Sequence, residues 1–208
     1  MNNKTDEMPQ DKRHWDSLYQ HSSFGGSPWT EGQPTAQLVE IIQSGLIKKG
    51  PALDIGTGSG NNAIYLAKND FTSYGIDISE HAIGLAKEKA INAGIKCQFT
   101  IGDASKLPYD NNMFVFIFDR GCFHSISLQN RKAFIRGIYR VLKPNGKYLL
   151  GCMGKISNRK FESQLLLSSE DINNLFLPPF NIINIREIPL KRHGLNSLFL
   201  SVLMEKKP

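Results

Sequence analysis

The chain has 208 residues and a mass of 23.3 kDa, which fits one domain with its own core and needs no disulfide or metal staple. Hydrophobic residues at 40% and charged residues at 21% exclude a disordered tract, while three scattered cysteines (Cys97, Cys122 and Cys152) argue against a disulfide framework or zinc site and for a reducing, cytoplasmic setting. The formal charge of +6 raises nucleic acid or an anionic membrane as partners.

The first fifteen residues lack the apolar centre of a secretory signal. The longest apolar stretch, residues 113–118, is far short of the ~20 residues of a membrane helix, so no membrane association is expected. A short helix is predicted over residues 11–21, with Trp15 and Tyr19 one turn apart. The Gly/Ser/Pro-rich stretch SSFGGSPWTEGQP follows as a loop. Residues 35–47 space Leu38, Ile41, Ile42 and Leu46 on one helix face.

Strands and helices then alternate. Apolar runs at 52–55, 72–76, 96–101, 113–119 and 147–152 read as buried strands, and helical patterns occupy 61–68, 80–93 and 128–142. That alternation implies a parallel sheet covered on both faces. Ser168 or Ser169 followed by Asp171 starts a further helix, which Pro178-Pro179 stops. Two β-rich runs, 181–188 and 197–204, flank the sequence KRHGLN as a hairpin. The expected architecture is a doubly wound α/β domain with a C-terminal β-hairpin.

The residues that carry chemistry begin at Leu53-Asp54-Ile55-Gly56-Thr57-Gly58-Ser59-Gly60. A buried strand runs into three alternating glycines and then a helix. Glycines permit a sharp turn and bring a ligand against main-chain N–H groups, and the helix N-terminus favours a carboxylate or phosphate. Read from Gly58, a relaxed GxGxxA pattern survives through Ala63, so the turn alone leaves a nicotinamide cofactor open. Asp77, ending the second strand, suits the ribose hydroxyls of either cofactor class, or else caps the next helix.

Further on, Gly102-Asp103-Ala104 closes the third strand, Asp119-Arg120-Gly121-Cys122-Phe123-His124 closes the fourth, and LKPNGKYLL leads into the fifth. Together with DxGxGxG and the final hairpin, this set resembles class I S-adenosylmethionine-dependent methyltransferases, over residues 35 to 204. The resemblance implies a Rossmann-like, seven-stranded, mostly parallel sheet with helices on both faces. It also implies S-adenosylmethionine as cofactor and S-adenosylhomocysteine as product. Gly56, Gly58 and Gly60 would face the methionine and ribose portion, and Asp54 would orient that loop or reach the amino group. Asp77 would take the ribose hydroxyls, Ile78 would pack on adenine, and Asp103 would take the adenine amino group beside Ala104. Asp119 and Arg120 would line the methionine end. For Asp103 and Asp119 the competing reading is turn-capping at strand ends.

The loop after the fourth strand narrows the chemistry. Adenine and glutamine amino-methylating enzymes resemble one another in an Asp/Asn-Pro-Pro-Tyr/Phe motif here, and cytosine-C5 enzymes in a cysteine following proline. This chain has Asp-Arg-Gly-Cys, which matches neither. The Trp15/Tyr19 pair, the Pro28-Trp29…Gly32…Pro34 segment and DRGCFHSI resemble the small-molecule group related to thiopurine, thiol and tellurite methyltransferases. That likeness implies an N-terminal helix and lid segment (1–34) ahead of the methyltransferase domain (35–208). Trp29 would contact the cofactor, and Trp15, Tyr19, Phe123 and His124 would line the acceptor pocket. His124 is also the candidate general base, against a purely structural role.

Three functions follow: methyl transfer to a small thiol, chalcogen or other heteroatom acceptor; methylation of RNA or protein; and S-adenosylmethionine binding without turnover. The charge bears on the second. Residues 120–161 hold ten Lys/Arg and no Asp/Glu. Lys132, Arg136 and Arg140 lie opposite Phe134, Ile138 and Val141 at helical spacing, which reads as a solvated outer face. A small-molecule partner is expected, with nucleic acid ranked second.

Overall fold

The computed structural model describes residues 12–20, 32–155, 166–192 and 195–208. In chain order the elements are α1 (Lys12–Gln20), α2 (Ala36–Gln43), β1 (Pro51–Ile55), α3 (Asn61–Lys68), β2 (Thr72–Asp77), α4 (Glu80–Asn92), β3 (Gln98–Ile101), β4 (Phe114–Arg120), α5 (Leu128–Val141), β5 (Leu142–Gly154), α6 (Ser169–Phe176), β6 (Phe180–Arg192) and β7 (Leu195–Lys206). The seven strands form one sheet in the order β3-β2-β1-β4-β5-β7-β6. The first five pair in parallel, and β7 enters antiparallel between β5 and β6. This is the doubly wound, mostly parallel sheet with a C-terminal hairpin that the sequence predicts.

Both faces of the sheet are apolar, and strand alternation divides them. Leu53, Ile117, Tyr148, Leu150 and Val202 point to one side, where Phe134 and Ile138 of α5 and Phe176 of α6 complete the larger core. Ala52, Phe116, Phe118, Leu149 and Leu203 point to the other, under Leu38 of α2 and Leu66 of α3. A register shift between Phe114 and Phe116 sends these two same-parity residues to opposite cores.

Element ends follow local chemistry. Ser79 caps α4 by accepting the Ala82 amide at 3.1 Å, and Ser168 and Asp171 form a reciprocal capping box at α6. The predicted 35–47 helix closes earlier, at Gln43, because Gly45 takes φ 73 and turns the chain; Ile47 is still buried. The fifth strand and the hairpin strands are longer than predicted, since cross-strand pairing extends them through polar residues without alternation.

The basic segment is not the uniform solvated face expected. Lys132 and Arg136 are exposed, but Arg140 is half-buried and donates to the carbonyls of Leu107 (2.7 Å) and Tyr109 (2.5 Å). Arg131 is 4% exposed, its guanidinium 5.2 Å from the Phe123 ring centroid. Two of the cations therefore hold the fold together. Lys206 does the same at the far end of the sheet: it is 6% exposed and donates to Leu142 O (2.7 Å) and Asn112 Oδ1 (2.8 Å) beneath the Tyr139 ring. Lys206→Met, which keeps the stem but leaves both acceptors unpaired, is expected to lower the melting midpoint by roughly 3–8 °C in a thermal scan. No helix among the described residues is long and apolar enough to cross a membrane.

Candidate cofactor and active site

The strand order reverses between β1 and β4, the position at which an open α/β sheet leaves a crevice beyond its strand ends. Two loops flank it. The first, after β1, turns through Gly56 (φ 63), Gly58 (φ 52) and Gly60 (φ 80). It is pinned from below: Thr57 Oγ1 donates to Asp54 Oδ2 at 2.6 Å, and Thr57 N to Ile76 O at 3.0 Å. From the side, Gly58 N donates to Asp77 Oδ2 at 2.9 Å, while Ser79 N donates to Asp77 Oδ1 at 2.9 Å. Asp77 thus bridges the end of β2 to the glycine loop, and the helix cap next to it is Ser79.

The second loop, after β4, is organised by Asp119. This fully buried carboxylate accepts from Cys122 N (2.9 Å), Phe123 N (3.1 Å) and Tyr148 Oη (3.2 Å). The two loops meet closely: a Cβ placed on Gly56 would stand 2.7 Å from Cys122 Cβ, closer than atoms pack.

Helix α1 lies over the first loop. A Cβ on Gly58 would fall 2.5 Å from Tyr19 Oη, so the phenol stands directly above the turn. Desolvation and the carboxylates of Asp77 and Asp54 push the Tyr19 phenol up, which keeps the hydroxyl protonated. The carboxylates are perturbed too. Burial raises Asp54 and Asp119 to about 7 despite their hydrogen bonds, and raises Asp77. Among the described residues, these three carboxyl groups accept their hydrogen bonds from backbone amides and hydroxyls, an environment that favours a cationic ligand.

The structure sorts the remaining site expectations. Gly56, Gly58, Gly60, Asp54, Asp77 and Tyr19 come together around one turn. Ile78 is half-buried between Asp77 and Ser79 at the exit of β2. Asp103 accepts Ser105 N at 2.8 Å and starts a short 3-10 turn that buries Ala104, so turn-capping accounts for one of its oxygens. Asp119 likewise serves its own turn from inside the core. Arg120 lines a shallow fissure with Thr35, Phe118, Phe199 and Ser201.

Two expectations are corrected. Phe123 does not line a pocket: it is fully buried, 5.4 Å from the Phe134 centroid and 5.3 Å from that of Phe176. His124 is not arranged as a general base. Its Nδ1 accepts the Met153 amide at 3.3 Å, which assigns the ring proton to Nε2 and leaves that nitrogen no lone pair to receive another. Trp15 is half-buried on α1, edge-on to His14 at 5.5 Å. Trp29 lies outside the described residues. Sequence reasoning missed Thr57, Tyr148 and Asp16; only Thr57, three residues after Asp54 inside the motif, carried a local signal.

Residues 52–146 match the family model described as a methyltransferase domain. Over 124 residues the chain is 32% identical to the 2-heptyl-1-hydroxyquinolin-4(1H)-one methyltransferase of Mycobacteroides abscessus, covering 59% of this chain and 54% of that one. The chain thus spans about half the length of that relative. Over 167 residues it is 28% identical to thiocyanate methyltransferase 1 of Brassica oleracea, covering 79% of this chain and 74% of the relative. A solved structure described as "Conversion of a Disulfide Bond into a Thioacetal Group during Echinomycin Biosynthesis" superposes with a TM-score of 0.81 at 21% identity, over 94% of this chain and 91% of the other, a likeness of fold. Residues 52–146, which hold the glycine loop and its acidic partner, are thus similar to a methyltransferase domain, within a sheet that ends in the terminal hairpin.

Proposed function

We propose that the protein transfers a methyl group from S-adenosylmethionine to a heteroatom of a small-molecule acceptor. The observation that carries this reading is the glycine loop held to Asp77 by the Gly58 amide at the switch point of the sheet. The loop is a cradle that side chains would fill, with alanines at 56 and 58 blocked at 2.7 and 2.5 Å. Asp77 accepts the Gly58 amide on one oxygen and the Ser79 amide on the other, and a carboxylate's further lone pairs would suit ribose hydroxyls. In this reading Ile78 and Asp103 would hold adenine, and Gly56 to Gly60 would hold the methionine portion. S-adenosylmethionine supplies an electrophilic methyl on a sulfonium when bound.

The chain's part is binding, orientation and exclusion of water. Methyl transfer is an in-line displacement, so most of the acceleration comes from holding the nucleophile in line. Tyr19, above the loop, closes the cleft with an aromatic face and a protonated hydroxyl. A thiol or similar acceptor ionises without a protein base, consistent with the tautomer assigned to His124. The relatives' names specify thiocyanate and a hydroxyquinolinone, both small and bearing heteroatoms, which supports the small-molecule class over a polymer. The inward use of Arg131 and Arg140 also takes two of the four cations of α5 away from a surface that nucleic acid could use.

Thermal-shift and calorimetric titrations with S-adenosylmethionine, S-adenosylhomocysteine and NAD test the cofactor, followed by an acceptor screen that reads S-adenosylhomocysteine release. Stabilisation by NAD alone would overturn the reading. His124→Ala is expected to keep kcat within about threefold and leave its profile from pH ~6 to ~9 unchanged, whereas loss of a true general base costs on the order of 100-fold or more.

A further inference from the structure

Helix α1 meets the domain at the N-terminus of α4. Asp16 Oδ1 accepts the Ser79 hydroxyl at 2.8 Å and the His81 amide at 3.5 Å. Lys12 adds exposed ion pairs to Asp16 (3.7 Å) and Glu80 (3.2 Å), which contribute little in water. The Ser79 bond differs in kind. Ser79 is fully buried, its Oγ also accepts the Ala82 amide at 3.1 Å, and its own amide donates to Asp77 Oδ1. One serine therefore touches the overlying helix, the cap of α4 and the carboxylate assigned to the ribose. A carboxylate at this helix end is further favoured by the dipole. Three residues along the same face of α1, Tyr19 stands over Gly58.

Resting on the cofactor reading above, we propose that Asp16 is a positioning residue: its bond to Ser79 clamps α1 onto α4, sets Tyr19 over the glycine loop, and couples closure of the cleft to occupancy of the ribose site. An occupant on Asp77 fixes the Ser79 backbone and so favours the clamp. By linkage the clamp favours the occupant to the same extent.

Asp16→Ala, Asp16→Asn and, as control, Lys12→Ala separate the contributions, read by amide exchange of residues 12–20 and by S-adenosylmethionine titration and kinetics. Asp16→Ala is expected to speed exchange in α1. It should raise the Kd and KM for S-adenosylmethionine about five- to tenfold, with kcat at saturation within about twofold. Asp16→Asn keeps an oxygen acceptor for Ser79 and is expected to recover most of the loss, and Lys12→Ala to stay within about twofold of wild type. Wild-type exchange and affinity in Asp16→Ala overturn the proposal, as does a fall in kcat with KM unchanged. If the wild type itself fails to bind S-adenosylmethionine, the cofactor reading and the coupling fall together. Exchange in the ligand-free protein then still decides the clamp: faster in Asp16→Ala supports it, unchanged overturns it.

Discussion

Gly58→Ala is expected to weaken S-adenosylmethionine binding at least ~tenfold while the protein still folds. At φ 52 a side chain costs about 1–2 kcal/mol of backbone strain, which a domain of this size tolerates. The new methyl group would stand 2.5 Å from Tyr19 Oη, the far end of a side chain on a peripheral helix, so Tyr19 swings away rather than the sheet breaking. Binding takes the loss twice, through a methyl group on the floor of the cradle and a displaced Tyr19 above it. Gly60→Ala is the contrasting case. Its Cβ would lie 2.8 Å from Ala86 Cβ and 3.2 Å from Ala86 Cα, against the backbone of α4, which has no such freedom. There the cost falls on the fold, at roughly 1–3 kcal/mol of overpacking and a melting midpoint lower by about 4–10 °C. Calorimetric titration beside thermal melts separates the two. Wild-type affinity in Gly58→Ala would remove the glycine loop from the site.

What the sequence disclosed follows the range over which each signal acts. The strand–glycine–helix junction at Asp54 to Asn61 is local: periodicity, glycine positions and the helix start lie within ten residues, and the structure reproduces them. The hairpin was legible for the same reason, although its length was not, because pairing with β5 extends it through polar residues. Phe123 and His124 were misread because burial and tautomer depend on partners elsewhere in the chain. Phe176 encloses the one, and the Met153 amide fixes the other. Arg140 belongs to the same class. Helical spacing placed it on the outer face, but carbonyls in the loop before β4 draw it inward. Asp16 had no local signal at all, since its partner is 63 residues away. Short-range pattern thus sufficed for the glycine loop, while the contacts that seat α1 beside it are tertiary.

The carboxylates beneath the loop carry the second large effect, a pH dependence that distinguishes the sulfonium from its product. Burial raises Asp54 and Asp119 to about 7, above the usual carboxylate range. A group whose folded pKa is raised contributes stability that is fully present below its unfolded pKa and lost as pH rises through the folded value. The ligand-free protein is therefore expected to melt on the order of 5 °C lower at pH 8 than at pH 5. A bound cation reverses the penalty by favouring the ionised forms, so S-adenosylmethionine binding should release protons near pH 7 and tighten as pH rises. We expect its Kd to fall about three- to tenfold between pH ~6 and ~8. S-adenosylhomocysteine shares the amino group but lacks the sulfonium charge, so its Kd should move less over the same window. Asp54→Asn keeps an acceptor for Thr57 Oγ1 and removes one titrating group, so it should flatten the S-adenosylmethionine curve toward that of the product. Titrations in buffers of different ionisation enthalpy measure the protons released directly. Parallel curves for the two ligands, with no difference in proton release, would show that the buried carboxylates do not sense the charge on sulfur.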